Sequence, residues 1–439
     1  MPGIFLAIGH TALLLYLMRR MRFYRCAPGL AFGHVAALFL LMIGAGAAMA
    51  AIYTWAYPVR AHADVFKYFD DSAVMHAALW ERPGDFLRML FGVGADGPWF
   101  VERYYDEMNS WLRQFDDGLY NDAHTMVRAS ALVRIISFGR FPVHVVYAAF
   151  AGLTGLLALH RTFAGLLPGR ERAVAVACLL SPSVLLWAGS PIKECLLFLG
   201  LGMLLWHVCI AAEHGPRLRT VVAVALAVLL LMHIKAYVLL CLLPAGAVLA
   251  VGRATGRPVL AFVLVGVAGL AALAAIGTWW PEWNVLEVIA RKHRDFIGHA
   301  QATGAGSFVV PPALEPTVAS FVMQAPYALY MALVGPLMHP AGGLLGLPAL
   351  LENLLLLAVP IVCLLHRRPW HAVDGSLLAA LLAYCLAMLL LIGYTTPVMG
   401  VLVRYRVPVL PFLFIAALLV LDRDRVLARW PRLRPFIVP

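Results

Sequence analysis

Long unbroken apolar stretches alternate with short polar gaps along most of this chain. The stretches fall near 3–18, 29–57, 142–160, 173–190, 195–212, 220–234, 236–252, 258–280, 346–365, 375–396 and 407–421. Several approach the roughly 20 residues a helix needs to cross a bilayer. They are continuously apolar, without the strict alternation of a membrane β-barrel. The pattern predicts an all-α integral membrane protein, a single polytopic domain over 1–439 with about 11 transmembrane helices. Two segments break the rhythm, 58–141 and 281–345. Long structured loops of this kind are usually functional.

The first long segment opens with "HADVFKYFDDS". At 3.6 residues per turn, Asp64, Lys67, Tyr68 and Asp71 share one helix face. Further on, "WFVERYYDEMNSWLRQFDDGLY" places Val101, Tyr104, Met108, Trp111, Leu112 and Phe115 at helical spacing. That predicts one amphipathic helix lying in the membrane interface. The second segment carries "EVIARKHRDFIGHA", with Arg291, Lys292, His293 and Arg294. These read as a solvated helix face, or alternatively as a phosphate site. The proline-broken "FVMQAPYALYMALVGPLMHP" that follows reads as interfacial or re-entrant.

Composition sharpens the class. Of 439 residues, 62% are hydrophobic and only 13% charged, where a soluble protein has about a quarter charged. The first stretch has no basic residues before it and "RRMRFYR" after it, the reverse of a cleavable signal. This predicts a retained anchor with the N-terminus outside and the C-terminus inside. In that topology the inner loops collect 18 basic residues, from Arg19 to Arg434, against five acids, for a net +13 inside and −2 outside. Every inner loop is basic, as the positive-inside rule requires. The net charge of +11 therefore reflects orientation and excludes a nucleic-acid-binding reading.

Ionisable residues embedded in apolar sequence stand out next. "LLWAGSPIKECLLFLG" holds Lys193 and Glu194, and "LMHIKAYVLL" holds His233 and Lys235. "LPALLENLLLL" holds Glu352 and Asn353, and "VLVRYRVPVLPFL" holds Arg404 and Arg406. A charge at the bilayer centre costs about 2.5–3.5 kcal/mol on insertion scales, so such groups face a partner or a wet cavity. All four elements place them toward the outer face. Either they converge on one polar cavity, or they snorkel singly at helix ends. The first outer loop adds 12 of the chain's 23 acids.

Some chemistries drop out. The seven cysteines show no CxxC spacing and no disulfide framework. No two histidines lie three or four apart, so a helical zinc pair is absent and no metal site is predicted. There is no P-loop and no dinucleotide fingerprint. Carboxylates and cations on the outer face of an apolar bundle suit sugar transfer from a lipid-linked phosphate. A carboxylate can deprotonate the acceptor hydroxyl, basic side chains offset the leaving phosphate, and the apolar bundle accommodates the lipid tail.

The stretches "DVFKYFDD", "SPSVLLWAGSPIKE" and "RYRVPVLPFL" resemble those of GT-C-type integral-membrane glycosyltransferases of bacteria. The resemblance implies a polyprenyl-phosphate or polyprenyl-diphosphate sugar donor, a glycan, lipid or protein acceptor, and catalysis at the outer face of the cytoplasmic membrane. It implies Asp64 as the base, with Asp70 or Asp71 supporting the acceptor or a metal. Donor phosphate contacts fall to Lys193, Arg404 and Arg406, with Lys235, Arg291 and Arg294 as further candidates. Tyr68, Glu194, His233 and Glu352 would support the acceptor, Glu194 alternatively pairing with Lys193. No motif demands a cofactor, and the resemblance leaves room for a divalent cation, Mg2+ or Mn2+. Besides membrane lipids, no partner such as nucleic acid is implied. Two alternatives stay open: a polysaccharide polymerase of the O-antigen type, for which Arg128 and Gly139 have the loop spacing, and a lipid or anion transporter.

Overall fold

A computed structural model describes residues 2–55, 59–112, 120–339 and 346–433. Phe115 and Arg434 of the sequence reading lie outside these residues. Every regular element among the described residues is helical. Among the described residues, nine helices are long and apolar enough to cross a membrane: Pro2–Arg20, Phe32–Trp55, Phe141–Leu166, Lys193–His214, Leu218–Thr255, Pro258–Trp279, Leu347–Leu365, Gly375–Thr395 and Met399–Val420. A tenth candidate is the pair Glu171–Leu179 and Pro182–Ala188, bent by 60°. The predicted pair 220–234 and 236–252 runs as helix from Leu218 to Thr255 with a kink between its two parts, where the backbone leaves helical geometry at Lys235 (φ −155°, ψ 77°).

The chain divides into two compact units. One comprises Met1–Glu171 and Val184–Ala236; the other comprises Arg172–Ser183 and Tyr237–Pro439.

The first unit is built around the Phe141–Leu166 helix. It is apolar on nearly all sides and largely buried, as a core helix must be. Its closest neighbour is the Lys193–His214 helix. Glycines set that approach. A Cβ on Gly155 would run into the Phe198 carbonyl, and one on Gly202 would run into the Gly155 carbonyl. Small residues allow such backbone contact, which lets van der Waals packing hold helices together where lipid gives no hydrophobic drive. Gly155→Ala should therefore destabilise the protein by about 1–3 kcal/mol or more. The measurement is thermal unfolding in detergent against Gly165→Ala, whose added Cβ meets open space. Equal unfolding temperatures for the two variants would refute the close-packing account.

The first long loop folds onto this unit. Residues Asp64–Glu81 form a helix whose buried positions, Val65, Tyr68, Ser72, Met75 and Ala78, recur at helical spacing. It packs on the Ala123–Ser137 helix. There Arg134 donates to the Phe69 carbonyl at 2.6 Å and to Ser72 Oγ at 3.1 Å. The single amphipathic helix expected over 99–120 does not form. The chain makes a short helix, Pro98–Arg103, then a 3-10 turn, Tyr105–Glu107, then irregular backbone through residue 112. Buried Asp71 is the reason. Its carboxylate accepts from the backbone N–H groups of Asn109 and Ser110, each at 2.8 Å, and from the Ser110 hydroxyl. Those N–H groups are the donors that a continuous helix would need. Of the segment's apolar residues, Phe100, Tyr104, Tyr105, Met108 and Trp111 are buried in the protein, whereas Trp99 and Leu112 are exposed.

The second unit is centred on the Gly375–Thr395 helix. Gly393 lets it meet the Val318–Leu333 helix at the Ala328 carbonyl. The second long segment contributes the Val285–Ala302 helix, capped by the Asn284 side chain onto Leu286 N and Glu287 N. Its buried positions are Leu286, Ala290, His293 and Ala300, so the cationic residues lie on the outer side and the histidine lies within.

Candidate functional site

In the first unit, four separate segments bring charged groups to one end of the bundle. The Lys193–His214 helix begins after the turn of Pro191 and Ile192, so its first two residues project differently around the axis. Lys193 Nζ pairs with Asp122 at 2.8 Å. Glu194 pairs instead with Lys235 at 3.1 Å, and both side chains are sealed, 0% and 4% exposed. Each of the two neighbouring charges thus has a partner on another segment, because adjacent helix positions do not face each other. Glu194 in the first turn also suits the helix dipole. Lys235 sits at the backbone break of its own helix. Next to it, the His233 carbonyl accepts from Thr125 Oγ1 at 3.0 Å, and the His233 ring lies edge-on to Tyr120.

Asp64 opens the Asp64–Glu81 helix and pairs with Lys67 at 2.7 Å, both about a quarter exposed (24%). Tyr68 is buried between two ammonium groups. Lys67 Nζ lies 5.6 Å and Lys193 Nζ 5.5 Å from its ring centroid, within cation–π range. The cluster is therefore graded. Asp64, Lys67 and Asp122 are partly open, Lys193 less so, and Glu194 with Lys235 are closed.

The other acid candidates have different positions. Asp70 takes a bidentate contact from Arg60 at 2.8 and 2.9 Å on the exposed side of the helix. Asp71 is the buried clasp of residues 109–110. Outside the spans, burial pushes the Tyr105 phenol up. Burial and the nearby Arg134 push the His76 imidazole down. Among the described residues, no group of three or more His, Cys, Asp or Glu is placed to hold a metal ion.

In the second unit, Arg406 is fully buried. Its Nη1 donates to the Ala332 carbonyl at 3.0 Å and to Asn353 Oδ1, while Nε and Nη2 have no partner among the described residues. Glu352 is buried as well. One oxygen accepts from Ser183 N at 2.6 Å and Ser181 Oγ at 3.0 Å, and the other has no partner among the described residues. Arg404, on the same helix as Arg406, is half-buried. Arg294 pairs with Glu287 at 2.9 Å on the exposed side of its helix, and Arg291 is exposed too.

Asp122 escaped the sequence reading. In "YNDAHT" it looks like one more cap or solvated acid among the twelve of its loop, and only the fold sets it on Lys193. No family model, curated protein or solved structure matches the chain.

Proposed function

We propose that this protein is a membrane glycosyltransferase of the GT-C type. It moves a sugar from a polyprenyl-phosphate or polyprenyl-diphosphate donor to a glycan, lipid or protein acceptor at the outer face of the bacterial cytoplasmic membrane. One observation carries the reading. Lys67 and Lys193, distant in sequence, both lie over the same Tyr68 ring, and each holds a partly open carboxylate, Asp64 and Asp122 respectively. A carboxylate and two ammonium groups around one aromatic floor are the charges that the chemistry needs.

Asp64, the one partly open acid candidate beside the lysines, takes the proton of the acceptor hydroxyl. The acceptor oxygen attacks the anomeric carbon, and the bond from that carbon to the phosphate oxygen breaks. The phosphate leaves with the electron pair, its charge offset by Lys193 and Lys67. Asp122 holds the Lys193 ammonium in place, and Tyr68 offers a flat apolar surface to the sugar or the prenyl chain. Taken by itself, the second unit has in Arg406 a fully buried guanidinium whose Nε and Nη2 have no partner among the described residues. That fork geometry suits an oxyanion.

Orientation rests on charge. A 38-residue helix would be about 57 Å long if straight, near twice the roughly 30 Å of a hydrocarbon core. We read the break at Lys235 as dividing it into two crossings; with the bent pair that reading gives eleven spans, N-terminus outside. The basic loops lie inside by the positive-inside rule, and the Asp64 and Lys193 end lies outside.

The test is mass analysis of lipid-linked sugars and their acceptors in cells with and without the protein. One added sugar residue that depends on the protein is the expected result. A ladder of repeat units would identify a polymerase instead. Unchanged sugar chemistry alongside altered lipid or anion movement would replace the enzyme reading with a transporter.

A further inference from the structure

In the second unit, the chain leaving the Leu347–Leu365 helix is tied to the end of the last span-length helix. The Asp422 N–H donates to the His366 carbonyl at 2.8 Å, and the Arg368 N–H donates to the Val420 carbonyl at 3.0 Å. Arg368 Nε adds a bond to the Leu419 carbonyl at 2.8 Å. Arg367 lies between these pinned neighbours, its guanidinium 4.9 Å from the centre of the Trp370 ring. All of these residues belong to the second unit.

Beside the tie lies a recess of about 390 Å³, lined by Leu364, Leu365, Arg367, Pro369 and Arg425. Small-ligand clefts span about 300–1,000 Å³. The lining is of two kinds. Leu364 and Leu365 are exposed and end a helix long enough to cross a membrane, so in a bilayer they meet hydrocarbon. Arg367 and Arg425 are exposed cations. Arg425 Nε pairs with Asp422 at 3.2 Å, and the other oxygen of that carboxylate accepts from the Arg425 backbone N–H. One carboxylate thus stands against two guanidiniums. Over 366–370 and 421–433 the chain carries six arginines and two aspartates. A helix C-terminus carries partial negative charge, which opposes an anion, so anion binding at this spot depends on the arginines.

Cations beside bare leucines fit a ligand that is anionic at one end and hydrocarbon at the other. Guanidinium groups bind phosphate through paired, charge-assisted hydrogen bonds. Basic pockets at the cytoplasmic ends of spans suit anionic headgroups. We infer that this recess binds an anionic phospholipid of the inner leaflet, with Arg367 and Arg425 on its phosphate and an acyl chain along Leu364 and Leu365. The site rests on the orientation by charge only for the choice of leaflet. It does not depend on the reaction assigned to Asp64, because it is built from other residues.

Native mass spectrometry of the full chain in a non-ionic detergent tests the site. The probes are phosphatidylglycerol and phosphatidylcholine with the same acyl chains, the second being net neutral. The parent should retain phosphatidylglycerol at least threefold better. Arg367→Gln combined with Arg425→Gln should lower that retention about five- to twentyfold, since each arginine near an anionic headgroup is worth about fivefold. Arg217→Gln combined with Arg219→Gln removes the same charge from exposed positions of another basic segment and should stay within twofold of the parent. If the first double variant fails to fold, Arg367→Gln alone carries the comparison, with about a fivefold loss expected; Arg367 holds no carboxylate among the described residues, and its side chain is exposed. Equal retention of the two lipids overturns the proposal. Equal losses in the two double variants overturn it as well, because net charge alone would then explain the binding. Displacement of phosphatidylglycerol by inorganic phosphate at equal concentration would make this a free-phosphate site and overturn the lipid assignment.

Discussion

Asp64→Asn should lower sugar transfer by about 10²- to 10⁴-fold, the usual contribution of a positioned general base. The substitution keeps the shape of the side chain and removes its ability to take a proton. It also removes the partner of Lys67, but that pair is partly open, and exposed pairs contribute only about 0–1 kcal/mol. Membrane level and unfolding temperature should therefore stay near those of the parent, and the loss should appear in the chemical step. The readout is single-turnover transfer with saturating donor. Asp70→Asn is the comparison, because Asp70 is bound to Arg60 away from the lysines and its loss should leave transfer within a fewfold. Near-parental turnover by Asp64→Asn would remove Asp64 from the role. A larger loss from Asp70→Asn than from Asp64→Asn would move the site to the other side of the helix.

The second large effect concerns the sealed pair. Lys235→Met should destabilise the protein by about 3–5 kcal/mol, because it leaves the Glu194 carboxylate buried without its counter-charge. Glu194→Gln should cost a similar amount for the converse reason. The double variant should regain most of the loss, since removing both charges also removes the desolvation penalty. Unfolding in detergent, followed by helix content, measures all three. Additive losses would show that the two side chains do not act as a pair. The functional consequence follows from position. Lys235 marks the backbone break of its helix, and Glu194 neighbours Lys193. A loosened pair would let the Lys193 ammonium drift from Tyr68, lowering transfer further than stability alone explains.

The legibility of this chain varied with the range of the interaction. Apolar stretches of span length announce helices because a lipid-exposed backbone must satisfy itself within one segment. Local periodicity likewise set the Asp64 helix correctly, with Tyr68 and Asp71 both on its buried side. The same reasoning failed over 99–120. There the periodicity was equally good, but Asp71, many residues upstream, captured the N–H groups of Asn109 and Ser110. Nothing local to that segment encodes the capture. The basic cluster around His293 could be read as a helix face from its spacing, yet the sequence could not show which face the core would take.

The amino-acid sequence by itself determined that this is a helical membrane protein. It also set where most helices run, and which polar residues are too costly to leave in lipid without a purpose. Those conclusions depend on hydropathy and periodicity, which are properties of a segment alone. The tertiary structure decided the pairings: Lys193 with Asp122, Glu194 with Lys235, and Asp64 with Lys67 beside Tyr68. A charge carries no label for its partner. With twelve acids in one loop, the choice among them is made by which backbones can approach, and here glycine contacts between buried helices set that approach.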